Sequence, residues 1–353
     1  MRRGTLALCV TLSLLLALAT AGTASARVAL VATGMAELAL VDVGSDAVVA
    51  RIALPAAARA VAVSADGRRG YVAAGRTIVA LDVNERTQIA RRAYGSAAVD
   101  GLAISRDGRR LYAVQGRRLR VLKARTLRLL GSVDLRGEGR AIALRHDGRL
   151  AAVVLARGRV AIVEPVRRRL LRRVRVPGAV GVAIADGGRT LVSARGRLRI
   201  ISPGARRVRS RAIRLPRGAG GHLAGSPGRT RLAVGARAGG SAGALVLLGS
   251  GRVRRLAAGP GLGTPAWLTD SSRILFANRS ASTLSLVSPY SRKRLDVVRL
   301  PGSAPAGIVV QPGRALLRGG ERDDTLAGTR GPDRIEGLAG SSPGPPDNSR
   351  SLS

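Results

Sequence analysis

Gly101-Leu102-Ala103-Ile104-Ser105, Asp107-Gly108-Arg109 and Leu111-Tyr112-Ala113-Val114 together decide the fold. The first segment alternates apolar and small residues and the third is apolar, so both read as strands. The Asp-Gly pair between them supplies the positive φ of a tight turn, which makes the whole an antiparallel hairpin. Further along, Leu119-Arg120-Val121-Leu122 and residues 127–133 add two more short strands. Neither run is long enough to establish a helical 3.6-residue period. The same turn recurs as Asp66-Gly67-Arg68, Asp147-Gly148-Arg149, Asp186-Gly187-Gly188-Arg189, Pro227-Gly228-Arg229, Asp270-Ser271-Ser272-Arg273 and Pro312-Gly313-Arg314. Its arginines, at 68, 109, 149, 189, 229, 273 and 314, are spaced by 41, 40, 40, 40, 44 and 41 residues. Four short strands repeated at this interval predict four-stranded units closed radially into a propeller.

First strands of the units read near Val61, Leu102, Ile142, Val182, Leu223, Trp267 and Ile308. Near the N-terminus, Val28-Ala29-Leu30-Val31-Ala32 resembles a second strand with no first strand before it. Gly307-Ile308-Val309-Val310, at the other end, is a first strand whose blade is incomplete. Ala315-Leu316-Leu317 competes as its partner but is shorter than the N-terminal segment. The expectation is all-β: a seven-bladed β-propeller of four-stranded antiparallel blades over residues 27–317, closed by pairing the N- and C-terminal strands.

Aromatic residues are 2% of the 353, and Cys9 is the single cysteine. The core must therefore be built from Val, Leu, Ile and Ala, without disulfides. Met1-Arg2-Arg3, the apolar run from Leu6 to Ala19 and Ala24-Ser25-Ala26 form the three parts of a secretory signal, predicted as residues 1–26. The run is too short to span a bilayer comfortably. Cleavage leaves a thiol-free chain with no transmembrane anchor, secreted or held in the cell envelope. Formal net charge is +39, and of the 60 basic residues only Lys123 and Lys293 are lysine. So strong a bias to Arg, beside abundant Ala and Gly, fits a GC-rich coding sequence as well as recruitment of polyanions. Arg167, Arg168, Arg169, Arg172, Arg173 and Arg175 crowd one predicted outer strand, where charge also discourages edge pairing.

These residues resemble the YVTN family of propeller repeats. Ser64-Ala65-Asp66-Gly67-Arg68 leads to Tyr71-Val72-Ala73-Ala74 and then to residues 78–82; Ser105-Arg106-Asp107-Gly108-Arg109 leads to Tyr112-Ala113-Val114-Gln115. Phe276-Ala277-Asn278 echoes the motif, while Ala152, Leu191 and Leu232 stand where the Tyr would fall. The resemblance implies an extracytoplasmic binding scaffold, although some similar propellers are lactonases or quinone-linked dehydrogenases. From Gly319 the chain is similar to hemolysin-type (RTX) calcium nonapeptides over residues 318–340, with a Ser- and Pro-rich tail expected disordered over 341–353. That resemblance implies Asp324 and Asp333 as candidate calcium ligands, with Leu326 and Ile335 pointing inward. Two and a half repeats favour weak binding at best.

Only His146 and His222 could act as imidazole bases or ligands, each in or beside a hairpin and far from the other in sequence. With few aromatics for stacking, this favours a non-catalytic scaffold, with a lactonase- or dehydrogenase-type enzyme and a calcium-binding extracellular protein as the alternatives. A ligand is expected at an end of the central channel, on loops joining one blade to the next: Arg136, Glu138, Arg140 and Arg217 lie there. The expected partner is another protein or an anionic envelope polymer, with no specific nucleic acid, and the chain is expected to be a monomer.

Overall fold

A computed structural model of the chain describes residues 28–204, 212–237, 240, 242–256 and 263–312, together with the short strands Leu316–Arg318 and Arg334–Glu336. Seven four-stranded sheets, each antiparallel, account for residues 28–310. Blade 1 takes its inner strand, Gly307–Val310, from the far end of the chain and continues through Val28–Ala32, Glu37–Asp42 and Ala47–Ala53. Leu30 lies opposite Val309 and Val31 opposite Ile308, which is the closure read from the unmatched strands at the two ends. The inner strands of blades 2 to 7 are Ala58–Val63, Val99–Ile104, Gly139–Leu144, Ala179–Ile184, Ala219–Gly225 and Thr264–Trp267. Leu316–Arg318 joins no blade and pairs in parallel with Arg334–Glu336.

Burial follows the position of a strand within its blade. Second and third strands, such as Arg69–Ala74 and Thr77–Asp82, are sandwiched between neighbouring blades and read as unbroken apolar runs. Each offers alternate residues to opposite neighbours. Leu30 and Ala32 pack toward blade 2, whereas Ala29 and Val31 pack toward blade 7. Seven apolar clusters fill the seven junctions between blades, one of them joining blade 7 to blade 1. Outer strands such as Thr87–Ala93 are largely exposed and arginine-rich.

At the C-terminal end of the inner strands the quoted turn builds one hydrogen-bonded unit. In blade 3, Ser105 Oγ donates to Asp107 Oδ1 at 2.5 Å and accepts from Arg110 N at 2.9 Å, while Arg109 N donates to Asp107 at 3.0 Å. Blade 2 repeats it with Ser64, Asp66, Arg68 and Arg69. In blade 4 Arg145 replaces the serine and Arg145 Nε donates to Asp147 at 2.8 Å. Gln311 occupies this position in the composite blade 1 and does more. Gln311 Nε2 donates to Gly67 O and Asn84 Oδ1, each at 3.0 Å, and its Oε1 accepts from Val28 N at 3.3 Å. One side chain thus ties both chain ends and the next blade together.

Candidate functional site

The other end of the channel is built by a backbone irregularity. At the start of the inner strands the register slips between Ala58 and Ala60, Val99 and Gly101, Gly139 and Ala141, and Ala179 and Gly181. Each slip is a bulge, which leaves one residue outside the ladder and re-aims its side chain. Those residues are Arg59, Asp100, Arg140 and Val180. In blade 6 the irregularity is wider, running from Ala219 to Leu223 and containing Gly220, Gly221 and His222. Gly221 is obligatory because a Cβ there would lie 2.0 Å from Ala236 O. Ser193 Oγ donates to Gly221 O at 2.6 Å and accepts from Gly181 N at 2.9 Å, pinning the bulge to blade 5.

The result is a channel mouth of about 560 Å³, lined by Arg59, Asp100, Arg140, His222, Thr264 and Arg279 among others. Arg59 Nη1 donates to Asp100 Oδ1 at 2.8 Å. Arg140 reaches Glu138 at 3.5 Å, a pair exposed on both sides and correspondingly weak. Arg279, just beyond the second strand of blade 7, Ile274–Asn278, has no carboxylate within ion-pair distance among the described residues. Thr264 Oγ1 is committed to Ala306 O at 2.8 Å. His222 is reached by solvent yet ringed by protein, and this enclosure lowers its pKa, so the imidazole is neutral at neutral pH. Three guanidiniums, one carboxylate already paired and a neutral imidazole suit the holding of an anionic group.

The four loop positions expected from sequence divide. Arg140 is at the mouth, on an inner strand rather than a loop; Arg136 and Glu138 line a separate crevice farther out, and exposed Arg217 borders neither. Arg59, Asp100 and Arg279 were not among the expected site residues. His222 is exposed, and the wide bulge places it at the channel mouth. A larger concavity, about 940 Å³, opens between blades 2 and 3 at the other face, but its carboxylates Asp66 and Asp107 are engaged in the turns. Asp324 and Asp333 lie outside the described residues. Among the described residues no group of three or more His, Cys, Asp and Glu side chains could hold a metal, and no helix is long and apolar enough to cross a membrane.

No protein-family model and no curated protein sequence matches the chain. Solved structures do. A functionally unknown protein from Desulfotomaculum acetoxidans is similar at 14% identity and a TM-score of 0.69, over 82% of this chain and 100% of that one. Kuenenia stuttgartiensis hydrazine synthase is similar at 13% identity and a TM-score of 0.62, over 72% of this chain and 90% of that one. The β-propeller domain of Myceliophteria thermophila Cps50 (Swd1) is similar at 15% identity and a TM-score of 0.62, over 73% and 91%. One of these is an enzyme by name and another a propeller domain, so the likeness carries the fold and leaves the ligand open. The fold, on its own strand order and on these neighbours, is a seven-bladed β-propeller.

Proposed function

We propose that the protein is an exported, non-catalytic binding scaffold whose blades are of the YVTN type and whose ligand seats an anionic group in the channel mouth. The observation that carries the reading is the convergence of Arg140 and Arg279 on one cavity beside the Arg59–Asp100 pair, with Arg279 facing no carboxylate among the described residues. Guanidiniums hold carboxylates and phosphates well, and they are poor at activating a nucleophile or moving a proton. The N-terminal signal pattern supports export, and the Ser-Asp turn geometry supports the repeat type. An anionic envelope polymer is the partner this chemistry favours. The test is capture of that polymer from envelope fractions at low and physiological salt, with the native protein beside an Arg140→Gln/Arg279→Gln variant. Selective capture that survives salt and falls with the variant is the expected result; equal capture by both would remove the mouth from the account.

His222 favours a second reading, because an imidazole at the channel mouth with a lowered pKa has the protonation state of a general base. Turnover of a lactone or a quinone-linked substrate, lost in His222→Gln with folding intact, would establish it. For the C-terminal segment we propose a weak calcium site using Asp324 and Asp333. The parallel pairing of Leu316 with Arg334 is offset by 18 residues, the length of two nonapeptides, which supports stacked repeats. Calorimetry with calcium, on the full chain and on Asp324→Asn/Asp333→Asn, tests it.

A further inference from the structure

A third concavity, about 500 Å³, opens between blades 3 and 4 and is lined by Arg117, Arg136, Glu138, Arg157, Arg159 and Arg173. Its arginines come from four different places in the fold. Arg117 and Arg157 sit on the hairpins between second and third strands of blades 3 and 4, Arg136 on the loop joining the blades, Arg159 at the start of a third strand and Arg173 on an outer strand. Among the described residues none of the five pairs with a carboxylate. Glu138, the acidic member of the lining, pairs with Arg140 instead, at 3.5 Å. Arg159 also lies directly opposite Arg175 across the strand pair, a like-charge arrangement that works against the fold.

Arg136 and Arg157 are two of eleven non-glycine residues at positive φ among the described residues, and Arg136 departs from the residue found at most of the matching junctions. The residue after the last buried side chain of each outer strand is Pro55, Gly95, Pro177, Pro216 or Pro301 at five other junctions. Gly95 there has φ +49, and Arg136 adopts φ +52, a left-handed conformation that disfavours residues with a Cβ by roughly 1 kcal/mol. Two neighbours hold it: Arg136 N donates to Asp134 Oδ1 at 2.8 Å, and Arg173 Nη1 donates to Arg136 O at 2.8 Å. Arg173 thereby lines the crevice and fixes a second arginine in it.

We propose that this crevice is a binding site for a multiply charged phosphate-type anion, separate from the channel mouth. The planar fork of the guanidinium matches phosphate oxygens in pairs, and five such forks around one cavity match several linked phosphates better than one. The site goes beyond the scaffold reading and stands whether or not the mouth binds a ligand. Free oligophosphate and a phosphodiester polymer share this chemistry, so tripolyphosphate and poly(glycerol phosphate) serve as separate probes, with citrate as a carboxylate of similar charge.

Calorimetric titration of the full chain at physiological salt is the experiment. Tripolyphosphate, the polymer or both should bind at one site, and citrate at least tenfold more weakly. Arg136→Gly, which restores the residue of the preceding blade, should weaken binding about tenfold while leaving the melting temperature unchanged or raised. Arg117→Gln/Arg159→Gln should weaken it further. Arg254→Gln/Arg255→Gln, on the outer strand Val253–Leu256, removes as much charge elsewhere and should change affinity less than about twofold. Equal losses from the distant pair and the crevice pair would reduce the binding to general electrostatics and overturn the proposal. So would citrate binding as tightly as tripolyphosphate, or an Arg136→Gly protein that binds as the native one does.

Discussion

At their C-terminal ends, the inner strands of blades 2, 3 and 6 finish on the same residue, Ser64, Ser105 and Ser226, and each hydroxyl accepts from a backbone N–H five positions on. At their N-terminal ends the inner strands of blades 2 to 6 share a backbone feature, the bulge, while the side chain it presents changes: Arg59, Asp100, Arg140, Val180, His222. Repeating the side chain holds the ring together. Repeating the backbone while varying the side chain gives a surface whose chemistry is free to specialise. One end of the channel is thus read as structural and the other as a site.

The largest effect should come from breaking the bulge itself. Gly221→Ala drives a Cβ to within 2.0 Å of Ala236 O, and because the atoms it meets are backbone the strain has no flexible side chain to absorb it. A loss on the order of 3 kcal/mol is expected in chemical denaturation, with His222 displaced from the mouth. Gln311→Ala comes next on the opposite face. It removes bonds to Val28 N, Gly67 O and Asn84 Oδ1, and a loss of about 2 kcal/mol is expected, twice that of an ordinary turn serine.

Acid should act on the turn face through its aspartates, and on the mouth through His222, whose lowered pKa makes protonation below about pH 6.5 unfavourable to the fold. The Ser105 hydroxyl and the Arg109 N–H hold the Asp107 carboxyl below its ordinary pKa, and the Arg145 guanidinium does the same for Asp147. At Asp66 burial pushes upward, but the hydrogen bonds from Ser64 and Arg68 outweigh it and the pKa is again lowered. A carboxyl depressed in the folded state stabilises the fold above the unfolded pKa, about 3.9, and that contribution disappears as pH falls through the folded value. Stability should therefore decline below about pH 4. Asp107→Asn should flatten part of that decline; an unchanged acid profile would detach the aspartates from the stability of the turns.

The same contrast explains what the sequence made legible. The ring and its closure were readable because turn residues recur every forty positions and because the N-terminal end lacked one strand while the C-terminal end had one to spare. Arg59, Asp100, Arg140, Val180 and His222 also recur, at intervals of 41, 40, 40 and 42, but with no shared residue type the period is invisible to a search for motifs. A bulge, moreover, is a displacement of register that alternation alone does not reveal. Arg140 was found only because it lies beside a loop, while Arg136 and Glu138, expected to share its site, face the crevice between blades 3 and 4. Arg279 follows a buried motif strand and gave no signal of its own.

The central claim, a structural face opposed to a binding face, is tested most directly by measuring stability and anionic-ligand binding on the same two variants. Ser105→Ala should lose about 1 kcal/mol in denaturation and bind as the native protein does. Arg140→Gln/Arg279→Gln should denature within about 0.5 kcal/mol of the native protein and lose its binding at the mouth, keeping only what the crevice between blades 3 and 4 holds. If the serine variant is the one that loses binding, or the arginine variant the one that unfolds, the division of the ring into two faces is wrong.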